Sequence, residues 1–225
     1  MIGRMEFVSG ERGRGEGGSM YGLPVLLVKT DPEGWLGERR LLRAGRTLKR
    51  GGVARTILPP DFSRWELLRK LGLRGVEPAP LLRACAPALT ERALRERDVD
   101  PRKATVTLFG TRADGEMLRC AAGLCARVRR LVVDAPGGEK LALRLREEFG
   151  LPVLPPEHPA QLELRFQPRE GTGNCLELFG RNPALEGLHL AVPELAREDQ
   201  TALDVLCVLW ERGLLDPERI KIHRN

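Results

Sequence analysis

The sequence predicts an α/β protein: a doubly wound, mostly parallel sheet in its second half, with a smaller α/β N-terminal half. Two observations carry this. Short apolar runs of strand length alternate along the chain with segments whose apolar residues recur at helical period. Strands separated by such helices imply parallel pairing and right-handed crossovers. With 225 residues and 42% hydrophobic composition, the chain has enough apolar material for a core without staples.

Residues 1 to 19, MIGRMEFVSGERGRGEGGS, are rich in Gly, Arg and Glu and show no apolar period, which predicts a disordered tail and makes Met20 a candidate for the true start of the chain. The N-terminal half, 20 to 98, opens with a strand at LPVLLV (23 to 28), a helix near 35 to 50, a strand at ARTILP (54 to 59) and a helix near 63 to 72. That second helix begins with Ser63-Arg64-Trp65-Glu66, the S-x-x-E pattern of a capping box. Residues 76 to 103 read as a connector, with prolines bracketing a helix at about 87 to 97.

The second half, 99 to 225, repeats the alternation: strand 104 to 109, helix 115 to 130, strand 130 to 135, helix 138 to 149, strand 151 to 155. Met117, Ala121, Leu124, Cys125 and Val128 form one stripe on the first of these helices, suited to packing on a sheet. LELRF (162 to 166) and CLELF (175 to 179) alternate apolar and polar residues around the turn-rich QPREGTGN, which predicts an antiparallel hairpin at the sheet edge. LHLAV (188 to 192) is a further strand, Leu203 to Leu214 a final helix, and RIKIH an edge strand.

Within 105 to 118, TVTLFGTRADGEML runs from strand through a glycine-bounded turn into a helix. With the next strand, LVVDAP, residues 104 to 154 resemble the first part of a Rossmann-type nucleotide-binding fold, whose fingerprint is G-x-G-x-x-G followed by an acidic residue about 20 positions on. Gly110 and Gly115 match the first and third glycines, and Asp134 stands at the strand end where the family holds the ribose. The resemblance implies NAD or NADP as ligand, with Gly110, Arg112 and Gly115 at the phosphates. It departs from the family at the centre, where Arg112 replaces the glycine that lets the backbone approach a pyrophosphate. Asp114 and Glu116 also crowd the helix N-terminus, favourable to its dipole but repulsive to a phosphate. Arg112 could itself contact a phosphate, and Asp134 equally suits an N-cap or Asx turn.

Other chemistries are poorly provided for. The five cysteines, Cys85, Cys120, Cys125, Cys175 and Cys207, contain no C-x-x-C pair and read as reduced cytoplasmic thiols; Cys120 and Cys125 would lie about 140° apart around a helix. Only three serines occur and none in a G-x-S-x-G elbow, which excludes a serine hydrolase. None of the three histidines has metal-ligand spacing; His158 alone sits in a loop on the carboxyl edge of the sheet, and the REGTGN loop (169 to 174) lacks the ending of a phosphate loop. No 18-residue apolar run is present to cross a membrane.

Arg39, Arg43, Arg46 and Arg50 line one face of the helix at 35 to 50, and residues 37 to 74 hold 11 basic against 3 acidic side chains. Such a stripe suits nucleic-acid phosphates or an acidic protein, although 4% aromatic content leaves few rings for stacking bases. Three functional readings result. The first is a degenerate Rossmann-type module that binds a phosphorylated ligand weakly or not at all and serves in regulation or as a scaffold for a protein partner. The others are an NAD(P)-dependent oxidoreductase, for which no proton donor can be named, and a nucleic-acid-binding protein using the arginine stripe.

Overall fold

A computed structural model describes residues 1–59, 61–171 and 173–224. The chain forms two compact units, Met1–Glu77 and Pro78–Asn225, so the division falls some twenty residues before the one read from sequence at 98/99. The cause lies in the helix after Glu77. Pro78 and Pro80, taken as brackets, stand in its opening turn, where a missing N–H costs nothing.

The first unit is a five-stranded sheet of order β2-β3-β1-β4-β5, built from β1 (Ile2–Phe7), β2 (Arg12–Met20), β3 (Leu23–Thr30), β4 (Arg55–Ile57) and β5 (Arg74–Gly75). The expected disordered tail is therefore ordered. β1 is the central strand, parallel to both β3 and β4, with Ile2 and Met5 in the core. β2 folds back on β3 through Tyr21 and Gly22, both at positive φ as a two-residue hairpin turn requires.

β2 escaped the hydrophobic pattern because its inward residues are glycines. A Cβ at Gly13 would meet the backbone of Ala44 at 3.1 Å, and one at Gly15 would meet Thr47 at 2.8 Å. The overlying helix α1 (Gly37–Arg50) thus lies against the glycines of β2, and the Thr47 hydroxyl donates to the Gly13 carbonyl at 3.2 Å. Leu41, Ala44 and Leu48 of α1 join Met5, Val28, Leu68 and Leu73 in the core. The capping box at Ser63 does not form. The short helix α2 (Trp65–Arg69) has Arg64 as N-cap and no side-chain cap bond; the Ser63 carbonyl accepts from the Trp65 amide instead.

The second unit starts with α3 (Ala79–Arg95), eight residues earlier than the sequence suggests and continuous through Pro87, against which Gly123 closes: a Cβ there would stand 2.7 Å from the proline ring. Next come β6 (Thr105–Phe109), α4 (Gly115–Cys125), β7 (Arg130–Asp134), α5 (Gly138–Phe149), β8 (Val153–Leu154), β9 (Leu162–Arg165) and β10 (Cys175–Glu177). The sheet order is β10-β9-β6-β7-β8, with every pair parallel. Chain order therefore reverses between β6 and β9, the switch-point arrangement of Rossmann-like folds.

The edge hairpin expected from residues 162 to 166 and 175 to 179 is instead the parallel pair β9·β10. A nine-residue connection returns the chain over the sheet, and buried Arg165 holds it down: its guanidinium donates to the carbonyls of Arg169 and Gly171 at 3.2 to 3.3 Å. The antiparallel pair of this unit is a separate ribbon of β11 (Leu188–Ala191) and β12 (Lys221–Arg224), with α6 (Leu203–Glu211) between them in sequence. No helix among the described residues is long and apolar enough to cross a membrane.

Candidate functional site

Cross-strand register explains what the switch point exposes. Val132, Thr107, Glu163 and Cys175 stand in one row across the sheet and Asp134, Phe109, Arg165 and Glu177 in the next, all on one face. The other face carries Val106, Leu108, Leu131, Leu164 and Leu176, all fully buried. An inner sheet covered by helices on both faces is apolar throughout; here the connections on either side of β9 are loops, so one face remains polar. A groove of about 290 Å³ opens there, lined by Thr107, Asp134, His158, Glu163, Arg165 and Arg169.

The four residues of the nucleotide fingerprint occupy this edge. Gly110 follows β6, and its amide donates to the Asp134 carbonyl at 3.1 Å, tying the turn to β7. A Cβ on Gly110 would meet the Met117 methyl at 2.7 Å, so glycine here serves packing of α4. Gly115 opens α4, yet a Cβ on it would meet only Arg119 at 3.7 Å, an ordinary contact. The close helix-to-strand approach that the third glycine provides in the family is absent at this position. Arg112 is 79% exposed and lies 3.6 Å from Asp114.

The anion-binding end of α4 is occupied from within. Asp114 is the N-cap, and its Oδ1 accepts from the amides of Glu116 and Met117 at 3.0 Å each. Desolvation pushes this carboxyl up, but those two amide bonds and the charges of Arg112 and Arg83 outweigh it and hold it below the usual range. Glu116 pairs with Arg83, whose guanidinium also donates to the carbonyls of Leu178 and Phe166 and lies over the Phe166 ring.

Asp134 is engaged as well. Arg169 donates to its Oδ2 at 2.8 Å and to Glu163 at 3.1 Å, with the guanidinium 4.3 Å from the centroid of the Phe109 ring. Glu163 in turn accepts from Arg165 Nε at 2.6 Å. One connected set of charges thus spans the carboxyl ends of β6, β7 and β9. Sequence reasoning missed Arg83, Glu163, Arg165 and Arg169. The available signal was the alternating LELR of β9, because charges on an inner strand must face either a groove or each other.

The remaining candidates stand apart from this set. His158 lines the groove and is exposed, whereas His189 and His223 face each other across the β11·β12 ribbon with ring centroids 5.8 Å apart. All five cysteines are free, and burial pushes the Cys85 and Cys120 thiols up to about 12. Among the described residues no group of three His, Cys, Asp or Glu side chains could hold a metal ion.

No protein-family model and no curated protein matches the chain. Solved structures similar to it include L-tryptophan dehydrogenase from Nostoc punctiforme, at 13% identity and a TM-score of 0.35 over 64% of this chain and 44% of that one. Another is shikimate 5-dehydrogenase from Listeria monocytogenes in complex with shikimate and NAD, at 12% identity and a TM-score of 0.29 over 65% of this chain and 59% of that one. The chain spans roughly half the length of each. The strand order described above, rather than these scores, carries the Rossmann-like assignment.

Proposed function

We propose that the second unit is a non-catalytic Rossmann-like module, regulatory or scaffolding, whose nucleotide edge is filled by its own side chains. One observation supports this above the others: Arg169 lies on the Phe109 ring and pairs with Asp134, the carboxylate a dinucleotide's ribose would need. Asp114 meanwhile takes the amides that a pyrophosphate would need. A dinucleotide would have to displace two ion pairs of Arg169 and a helix cap together. Contacts with a protein partner, or weak binding of a smaller phosphorylated ligand in the groove beside Arg169, are the uses this edge still offers.

Thermal unfolding of the full chain with and without NAD, NADP, ATP or GTP at millimolar concentration tests the reading. A ligand at about 100 times its dissociation constant adds roughly 2.7 kcal/mol, which raises the midpoint of a chain this size by about 5 to 10 °C. The expected result is a shift near zero with all four. A rise of several degrees with NAD or NADP would overturn the reading in favour of a cofactor-dependent enzyme.

A further inference from the structure

The first unit carries the chain's whole net charge. Residues 1 to 77 hold 15 basic and 9 acidic side chains, and residues 78 to 225 hold 22 of each, so the formal +6 resides in the first unit. The structure gathers part of it. Arg43, Arg46 and Arg50 of α1 and Arg12 and Arg14 of β2 line an open groove of about 550 Å³ together with Thr47. Arg39, the fourth residue of the α1 stripe, is not among its lining residues, and two arginines from the segment read as disordered take part instead.

All five arginines are exposed, and among the described residues none is ion-paired to a carboxylate. Elsewhere in the same unit Arg40 pairs with Asp31 at 2.9 Å and Arg4 with Glu6 at 3.3 Å, so partners are used where they stand nearby. Five like charges held around one concavity repel one another and raise the local potential. The glycine-lined contact of β2 with α1 brings the arginines of both elements to one groove.

We infer that this groove binds the phosphate backbone of a single-stranded nucleic acid without reading its sequence. Guanidinium groups match phosphate oxygens in a bidentate manner, and a concave channel follows a strand. An acidic membrane surface fits less well, because the exposed large apolar side chains of the unit, Met1, Val8, Tyr21 and Trp35, are single residues spread along the sequence. Trp35 stands 90% exposed just before α1, outside the residues that line the groove, so a base stacked on it would belong to a strand longer than the groove. The inference is independent of how the second unit is read.

Fluorescence anisotropy of a labelled 20-mer of uridine with the full chain provides the test. With about four phosphates neutralised, affinity should fall roughly 50-fold between 50 and 200 mM salt. The double variant Arg43→Ala, Arg46→Ala should weaken binding at low salt and flatten that dependence, and Trp35→Ala should weaken it about tenfold. The double variant Arg144→Ala, Arg146→Ala, at two exposed positions of α5, removes the same two charges and serves as a control for total charge. Absence of binding at 50 mM salt would overturn the inference. So would equal losses in the groove and control variants, equal competition by inorganic polyphosphate of the same phosphate number, or binding to vesicles of anionic lipid in place of the oligomer.

Discussion

The carboxyl edge of the second unit and the arginine groove of the first are built from the same residue types and end in opposite states. Around the β6·β9 switch point Arg83, Arg165 and Arg169 each meet carboxylates or carbonyls of the same chain. In the groove five arginines meet none among the described residues. A charge satisfied internally mainly positions backbone, and a ligand must first break that arrangement. An unsatisfied charge on a rigid frame is already available.

Breaking the open side should have the largest effect. Shortening the chain to begin at Met20 removes the central strand β1 and two of the five groove arginines. The first unit should then lose its cooperative fold altogether, seen as loss of hydrogen-exchange protection at the α1 amides from Leu41 to Leu48. Retained protection would mean that the glycine-rich segment is an accessory to the sheet.

Opening the closed side comes next. Arg165→Met leaves the carbonyls of Arg169 and Gly171 without this donor and takes from Glu163 one of its two guanidinium partners. Glu163 is part-exposed and keeps Arg169, so the loss should be about 2 kcal/mol, between the values of an exposed and a fully buried pair, measurable as a fall in the urea midpoint at constant slope. A loss below about 1 kcal/mol, the value of an exposed pair, would show that the connection is held by something other than the clamp.

Asp114→Ala should cost about 1 kcal/mol at pH 7, the usual value of a helix N-cap. Its folded pKa lies below the unfolded value near 4. The carboxylate therefore contributes its full stability above about pH 4 and loses it as pH falls through the folded pKa. The difference between wild type and variant should accordingly shrink with acid. A difference constant from pH 7 to pH 2 would assign the effect to packing.

Much of the second unit was legible because its helices and strands keep clean periods: α5 lies at 138 to 149 as the sequence predicts, and β6 and β7 fall within a residue of expectation. Failures have identifiable physical causes. β2 carries its buried face on glycines, which register as the composition of disorder, and a bulge at Gly13, with φ of 81°, breaks the strand period. The β9·β10 pair is parallel and its connection is held by Arg165, and no local pattern encodes a contact from a strand to a loop six residues on. The fingerprint residues were visible, whereas Arg169 and Glu163 reach the site only through the pairing of β6 with β9.

Arg112→Gly restores the family's central glycine and separates sequence resemblance from geometry most directly. Arg112 is 79% exposed with a loose 3.6 Å contact to Asp114, so stability should change by less than about 0.5 kcal/mol. Nucleotide affinity should be no higher than in the unaltered chain, because the amides of Glu116 and Met117 remain bonded to Asp114 and Asp134 remains bonded to Arg169. The combination Arg112→Gly, Asp114→Gly, Arg169→Ala vacates all three positions at once. Titration of both variants with NAD, followed by calorimetry, distinguishes them. Binding by the triple variant alone would mean that self-occupancy closes the edge, and binding already in Arg112→Gly would mean that the missing glycine did.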